Sequence, residues 1–322
     1  MSRRQLSLAW RLTLPVTASC LLFTFTGFWG ESGWLMDLTS HFRPQYLAWL
    51  ASTALVLAFR SNGRCPFTKV VITLSALAAS VNLAMLVPYW IHPPVAARVS
   101  STPLKLVACN VNSYFGDPGK VERMVRDENP DVFLLTEVTS QWLVALKNLR
   151  RDWPYGCSED REDSFGIALY SRKPVREAKI EHLGSQGLPC IRAVLEHDSQ
   201  FLTLLGTHPA PPKSPRYAQW RNEDMAAMPS FLGSKGHRMI LGDLNSTIWC
   251  APYRKLVREA GLQDAARGFG WKPTWPTMLP LLGVAIDHAL VSPGIIVTEH
   301  RLGPGIASDH WPLAVTVTLS AD

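Results

Sequence analysis

The sequence predicts an α/β protein in which two packed mixed sheets, flanked by helices, follow about three transmembrane helices. Long uncharged segments are confined to the first third of the chain, while strand-length apolar runs alternate with helix signals in the rest. The chain has 322 residues, of which 47% are hydrophobic and 18% charged. Soluble domains carry roughly 25% charged residues, and so apolar a composition excludes intrinsic disorder.

The positive charge of the chain is concentrated in its first 100 residues. The whole sequence has 32 Lys and Arg against 26 Asp and Glu, a formal net charge of +6. Residues 1–100 contain eight basic and two acidic residues, so residues 101–322 have no net charge. The basic excess therefore gives no argument for a nucleic-acid surface on the C-terminal part.

Three uncharged segments predict the membrane helices. They cover residues 12–30, 44–59 and 70–91, with lengths of 19, 16 and 22 residues, whereas about 20 helical residues cross a bilayer core. We therefore assign residues 1–95 to a membrane anchor and residues 96–103 to a Pro-rich linker. A cleavable signal peptide for the first segment, and soluble core helices for all three, are the alternatives.

The distribution of Lys and Arg predicts the orientation of this anchor. Arg3, Arg4 and Arg11 precede the first segment, and Arg60, Arg64 and Lys69 separate the second from the third. This places the N-terminus in the cytoplasm and, after three crossings, the C-terminal domain outside it. The orientation reverses if residues 44–59 do not cross.

Residues 104–322 have the pattern of one domain with two sheets. Helices are predicted from 117, where Asp117 and Pro118 form an N-terminal cap, and over 139–150, 215–231 and 252–260, the last ending at Gly261. Strands are predicted over residues 104–111, 131–136, 165–171, 175–182, 190–197, 201–207, 238–241, 284–291, 294–300 and 311–319.

Short polar side chains follow nearly every strand that is predicted to be buried. They are Asn110, Asn112, Glu137, His208, Asp243, Asn245, Asp287, His288, Asp309 and His310. Such residues gather at one edge of a sheet, where sites are usually built. Carboxylate and amide oxygens without a thiolate cluster favour Mg²⁺ or Mn²⁺, and histidines beside aspartates supply proton donors for a phosphate.

These motifs resemble the endonuclease/exonuclease/phosphatase family, which includes deoxyribonuclease I-like nucleases, inositol-polyphosphate 5-phosphatases and neutral sphingomyelinases. The matching pieces are CNVN ending at Asn112, PDVFLLTE ending at Glu137, GTHP around His208, GDLN ending at Asn245, IDH at 286–288 and SDHWP at 308–312. They occur in the family's order over residues 104–319. The resemblance implies a four-layer α/β/β/α sandwich and a metal-dependent hydrolase of phosphate esters.

The resemblance also implies a role for each matching residue. Glu137 would be the principal metal ligand, helped by Asn110, with Asp309 on or near the same ion. Asp243 would position or deprotonate the attacking water. Asn245 would bind a phosphate oxygen. His310 would contact the scissile phosphate and be oriented by Asp287, and His208 would support the phosphate or the leaving group.

Asn112 and Trp275 are weaker candidates. Asn112 stands where relatives place a second polar site residue, and residues 273–275 match a Pro-Thr-Trp stretch that relatives often have on a loop near the substrate. Trp275 would then be part of an aromatic rim that stacks on a base or lipid headgroup. Trp275 could equally belong to a packed Pro-rich loop, and the polar residues at strand ends could form turns or caps. His288 is expected to bond locally.

Three functions remain open at this point. The first is a membrane-anchored phosphodiesterase of nuclease type, and the second is the same chemistry on a phospholipid or sphingolipid headgroup. The third is a non-catalytic membrane module. The expected partners are a lipid bilayer and a phosphate-ester substrate, and no sequence feature indicates an obligate protein partner.

Overall fold

A computed structural model describes residues 3–60, 65–92 and 101–321, and it divides into two compact units. The first unit contains Met1–Pro88 together with Trp249–Ala251, and the second contains Tyr89–Ile248 and Pro252–Asp322. Residues 96–100 of the predicted linker lie outside the described residues.

The first unit is helical. Its helices are α1 (Arg3–Thr26), α2 (Trp34–Leu38), α3 (Arg43–Arg60) and α4 (Pro66–Leu86). A buried polar network joins three of them, because Arg43 Nη1 donates to the Thr24 carbonyl at 2.6 Å and to Asn82 Oδ1 at 3.2 Å. Asn82 Nδ2 in turn donates to Thr24 Oγ1 at 2.8 Å.

The prediction of about three transmembrane helices is not supported. Within the described ranges only Pro66–Tyr89 is long and apolar enough to cross a membrane, with a mean hydropathy of 2.2 over its best window. The 44–59 segment falls in α3, whose first residue is a buried arginine, and Thr and Ser recur along α1. An uncharged run is therefore not the same as a strongly apolar one.

The second unit contains two six-stranded mixed sheets. The first has the order β11-β12-β1-β2-β4-β3 and the second β5-β6-β7-β8-β10-β9. The strands are β1 (Leu104–Asn110), β2 (Val132–Thr136), β3 (Ser158–Glu159), β4 (Ile167–Ser171), β5 (Val175–Leu183), β6 (Leu188–His197), β7 (Gln200–Thr207), β8 (His237–Asp243), β9 (Gln263–Asp264), β10 (Asp287–Val291), β11 (Ile295–Leu302) and β12 (Leu313–Leu319).

The two sheets pack face to face through a continuous apolar core. Leu106 and Leu134 of the first sheet belong to the same buried cluster as Leu204 and Leu241 of the second. A second cluster covers the outer face of the first sheet, where Phe133 stacks on Tyr170 with ring centroids 4.8 Å apart. The predicted arrangement of two packed sheets flanked by helices is thus confirmed.

The helices of this unit are α5 (Pro118–Glu128), α6 (Ser140–Ala145), α7 (Pro215–Leu232) and, from Pro252 onward, α8 (Ala251–Ala260). Asp117 caps α5 by accepting from the backbone N–H groups of Gly119 and Lys120, as predicted. Gly261, after α8, has a φ of 62°, as expected of a glycine that ends a helix.

The predicted helix over 139–150 is wrong in its second half. It breaks at Leu146 and continues as a 3₁₀ helix, Lys147–Arg151. Trp142, Leu146 and Leu149 are all buried, and a spacing of three or four residues suits both helix types.

Candidate active site

The polar residues at the strand ends come together at one edge of the sandwich because of strand direction. The parallel pairs β1–β2 and β7–β8 bring their carboxyl ends to the same edge. Strands β10 and β12 run antiparallel to β8 and β1, so their first residues start there. Asp287 and Asp243 lie directly opposite each other in the β10–β8 register.

One carboxylate oxygen, Asp243 Oδ2, lies at the centre of this cluster. Asn110 Nδ2 lies 3.2 Å from it, His208 Nε2 3.5 Å and His310 Nε2 3.7 Å. The other oxygen of Asp243 accepts from the backbone N–H of Asn245 at 2.8 Å. Asp243 is almost completely buried, so bulk solvent screens its charge only weakly.

Asn110 joins the carboxylates of Asp243 and Glu137. Its Nδ2 also donates to Glu137 Oε1 at 3.0 Å, while Glu137 Oε2 accepts from the backbone N–H of Ser113 at 3.2 Å. The Asn110 oxygen accepts from the backbone N–H of Asn112 at 3.0 Å. Asn110 therefore presents its amide nitrogen, rather than its oxygen, to the two acids.

The backbone at three of these residues is in the left-handed region. Asn112, Glu137 and Asn245 have φ values of 53°, 64° and 48°. Residues other than glycine seldom adopt this conformation, and it recurs at functional sites where the surrounding structure enforces it.

His310 is held as a cation by two carboxylates. Its Nδ1 donates to Asp287 Oδ2 at 2.9 Å. Burial lowers the pKa of His310, but the charges of Asp287 and Asp243 outweigh it and raise the pKa to about 10. Burial likewise raises the pKa of Asp243, but the positive charges of His310 and His208 bring it below its ordinary value.

His208 forms the other side of the cluster. Burial lowers its pKa, yet the hydrogen bond and the charge of Asp243 produce a net rise. The next residue, Pro209, accepts from Asn245 Nδ2 at 3.0 Å through its carbonyl. This contact ties the loop after β7 to the loop after β8, and one N–H of the Asn245 amide is used in it.

Asp309 lies between the two weaker candidates. Asn112 Nδ2 donates to Asp309 Oδ1 at 2.7 Å, and Trp275 Nε1 donates to Asp309 Oδ2 at 2.9 Å. The Trp275 ring is partly exposed and its centroid lies 6.5 Å from that of His310. Both residues therefore belong to the cluster, where they orient Asp309.

Two hydroxyl groups that the sequence reasoning missed complete the framework. Ser308 Oγ donates to the Asn110 carbonyl at 2.7 Å and accepts from the backbone N–H of His310 at 3.0 Å. Thr274 Oγ1 accepts from the backbone N–H groups of Ile286 and Asp287, each at 3.1 Å. Ser308 is the first residue of the SDHWP motif, and Thr274 is the middle residue of Pro-Thr-Trp at 273–275. These two motifs were the sequence signal that could have identified both hydroxyl groups.

The sequence profile of the endonuclease/exonuclease/phosphatase family matches residues 107–310, which is more than half of the chain. The chain belongs to this family. Its members are hydrolases of phosphate esters that generally depend on a divalent metal. None of the curated proteins compared with the chain matches it.

Solved structures share the fold of this family member. The endonuclease/exonuclease/phosphatase from Beutenbergia cavernae DSM 12333 is 16% identical, covers 68% of this chain and 72% of its own, and has a TM-score of 0.55. TDP2 from D. rerio, complexed with a single-strand DNA product, is 16% identical, covers 67% and 99%, and has a TM-score of 0.57. SmcL is 18% identical, covers 67% and 99%, and has a TM-score of 0.51.

The acidic side of this family site suits a divalent cation. Glu137 and Asp243 approach the same amide nitrogen from two sides, and Asp243, Asp287 and His310 present ligand atoms within 4.8 Å of one another. Since His310 Nδ1 is used by Asp287, the oxygens of Glu137 and Asp243 are the better ligands. A hard cation such as Mg²⁺ prefers such oxygens.

Proposed function

We propose that the protein is a divalent-metal-dependent phosphodiesterase, with Mg²⁺ or Mn²⁺ as the ion, and that its substrate is a nucleic acid. The observation that carries the chemistry is that side-chain nitrogens of Asn110, His208 and His310 lie within 3.7 Å of Asp243 Oδ2, beside the Glu137 carboxylate. Two buried imidazoles with raised pKa values and two carboxylates at one strand edge are suited to hydrolysis of a phosphate ester.

The residues of the cluster divide the reaction between them. Asp243, which stays ionised, accepts a proton from the attacking water as its oxygen bonds to phosphorus. His310, kept cationic and oriented by Asp287, donates to a non-bridging oxygen. His208 donates its proton to the leaving oxygen as the phosphorus–oxygen bond breaks. A divalent ion held by Glu137 and Asp243, with Asp309 nearby, would neutralise charge on the phosphate.

A basic and aromatic segment at the start of α7 supports a nucleic-acid substrate. Lys213 lies over the Tyr217 ring at 4.2 Å and Arg216 over the Trp220 ring at 4.9 Å. This segment follows His208 by only a few residues. Phosphate backbones are bound by Lys and Arg, and unpaired bases stack on aromatic rings.

A panel of substrates tests the proposal. The full-length protein with Mg²⁺ would be given plasmid DNA, single-stranded DNA, RNA and the chromogenic diester bis(4-nitrophenyl) phosphate, with Asp243→Asn as the inactive control. We expect cleavage of nucleic acid and of the chromogenic diester by the wild type alone. Absence of hydrolysis, together with absence of metal binding, would leave a non-catalytic module.

Two apolar loops beside the site favour a lipid headgroup as the second candidate substrate. The first contains Phe115, and the second contains Met278 and Leu281. Phe115 is 80% exposed, and Met278 and Leu281 are 87% and 89% exposed. The first loop is held by Asn112, whose Oδ1 accepts from the backbone N–H of Phe115 at 3.0 Å. The second is held by Thr277, whose backbone N–H donates to the Asp309 carbonyl at 2.9 Å.

The two substrates are separated by presenting sphingomyelin and phosphoinositides in vesicles. If lipid is the substrate, the double variant Met278→Asp, Leu281→Asp should lose vesicle hydrolysis but keep hydrolysis of the soluble diester. The matched control is Val144→Asp, because Val144 is an exposed apolar residue on α6. Hydrolysis of vesicles without cleavage of nucleic acid would overturn the first candidate.

We further propose that the protein is bound to a membrane through Pro66–Tyr89, with the C-terminal domain outside the cytoplasm. In the sequence, Arg60 and Arg64 precede this helix and Lys69 is its fourth residue, and positive charge marks the cytoplasmic side. Alkaline phosphatase fused at residue 322 should be active if this is correct, and a fluorescent protein that matures only in the cytoplasm should stay dark.

A further inference from the structure

A second buried aspartate–histidine pair lies next to the active site and takes no part in the chemistry described above. His288 Nδ1 lies 3.1 Å from Asp264 Oδ2, and His288 Nε2 lies 2.8 Å from the Ser246 carbonyl oxygen. The Tyr253 hydroxyl donates to Asp264 Oδ2 at 2.6 Å, and the backbone N–H of Ala266 donates to Asp264 Oδ1 at 2.7 Å. All of these groups are buried.

His288 faces an acceptor with each of its ring nitrogens. A neutral imidazole has one N–H and could serve only one of them, so two donations require the cation. Burial lowers the pKa of His288, but the hydrogen bond and charge of Asp264 reverse the effect. Asp264 has its pKa lowered by the same contact, against the effect of burial.

The carbonyl that His288 holds belongs to the loop that carries Asp243 and Asn245. Arg221, also fully buried, places Nη1 3.5 Å from the preceding carbonyl, that of Asn245. Two buried cations thus face two successive carbonyl oxygens of a loop whose Asn245 has a φ of 48°. The backbone N–H of Asn245 donates a hydrogen bond to Asp243 Oδ1.

Strand geometry explains why His288 can act on this loop without touching the substrate. Asp287 and His288 are neighbours in β10, so their side chains point to opposite faces of the sheet. Asp287 orients His310 on the active-site face. His288 lies on the other face and contacts the loop through the Ser246 carbonyl oxygen.

We propose that His288, held by Asp264 and Tyr253, is a positioning residue that fixes the loop from Asp243 to Ser246 so that Asp243 and Asn245 meet the substrate together with His310. This inference rests on the proposed phosphodiesterase function. It assigns a role to a residue that neither contacts the phosphate nor binds the metal.

Two conservative substitutions separate positioning from packing. His288→Gln can place its amide nitrogen where Nε2 lies and so keep a donor to the Ser246 carbonyl. In this variant Asp264 keeps its hydrogen bonds from the Tyr253 hydroxyl and the backbone N–H of Ala266. His288→Asn can keep the donor to Asp264 but is too short for Ser246. His288→Ala removes both, and Tyr253→Phe removes only the hydroxyl.

The kinetic test uses bis(4-nitrophenyl) phosphate and the full-length protein. For His288→Ala and His288→Asn we expect kcat to fall about 10- to 100-fold, since a small misplacement of reacting groups has effects of this size. KM and the Mg²⁺ concentration for half-maximal rate should change less than about threefold, and His288→Gln should recover most of kcat.

Hydrogen–deuterium exchange gives a readout that does not depend on activity. Backbone amides of residues 243–247 should exchange faster in the Asn and Ala variants than in the wild type and the Gln variant. This result supports the inference even if the wild type hydrolyses nothing, in which case the proposed function fails alone. Equal kcat for Gln and Asn, or unchanged exchange in His288→Ala, would overturn it.

Discussion

Replacing Asp224 with Asn should stabilise the protein at neutral and alkaline pH. Asp224 lies on α7 and its side chain is 1% exposed. Among the described residues, no donor meets either carboxylate oxygen at full hydrogen-bond geometry. Burial is the largest influence and raises the pKa of Asp224 to about 7, opposed mainly by the backbone amide of Ala210.

The size of the effect follows from this pKa. An aspartate titrates near 3.8 when exposed, so between pH 3.8 and about 7 the folded state binds a proton that the unfolded state has released. Stability from this group therefore falls as pH rises through that window and stays low above it. Three pKa units at about 1.4 kcal/mol each give an upper limit of about 4 kcal/mol.

Thermal unfolding at pH 4 and pH 8 measures this directly. Asp224→Asn should match the wild type closely at pH 4 and melt at a higher temperature at pH 8. For a domain of this size about 2–4 °C per kcal/mol is expected, so the gain could reach roughly 8–16 °C. Glu223→Gln is the matched control, because Glu223 is exposed and its pKa is lowered by Ser185, which gives the opposite sign.

A melting-temperature difference between Asp224→Asn and the wild type that does not grow from pH 4 to pH 8 would refute this reasoning. So would an Asn variant that is less stable than the wild type at pH 8. Either result would mean that the ionised carboxylate has a partner and carries no cost.

Three other predictions concern the site and its support. Glu137→Ala and Asp243→Ala should each lower the rate more than about 10²-fold in initial-rate assays at saturating Mg²⁺, and a near wild-type rate in either would contradict the assignment. Asp287→Asn should lower the pKa of His310, so the alkaline limb of the pH–rate profile should move to lower pH. If the limb does not move, His310 is not the group whose titration produces it. Gly242→Ala should destabilise by roughly 2–4 kcal/mol in denaturant unfolding, because its Cβ would lie 2.1 Å from the Thr207 carbonyl oxygen at a φ of 139°; unchanged stability would contradict this.

The position of the site could be predicted because it depends on strand order and direction. Apolar runs that end in Asn110, Glu137, His208 and Asp243 identify strands whose carboxyl ends can share one edge. The family resemblance also implies that Asp287 orients His310, and in the structure His310 Nδ1 lies 2.9 Å from Asp287 Oδ2. Strand periodicity is a property of the local sequence, so it can be recognised without knowledge of the tertiary contacts.

Other features depend on tertiary contacts that periodicity does not encode. The orientation of the Asn110 amide is set by the backbone of Asn112, which no spacing reveals. The two-residue strands β3 and β9 form only because a neighbouring strand offers hydrogen bonds. An uncharged helix can face lipid or protein, so the count of membrane helices could not be read from charge alone.

The charges of the buried site also bear on its chemistry. Glu137, Asp243, Asp287 and Asp309 bring four acidic side chains against the two imidazoles of His208 and His310, whose pKa values are both raised. An anionic phosphodiester would be repelled by the net negative charge of these six groups. A divalent cation on the acidic side would offset that excess and leave the two histidines to meet the phosphate. In the proposed phosphodiesterase, the carboxylates that raise the pKa values of the two histidines would therefore also make substrate binding depend on the metal.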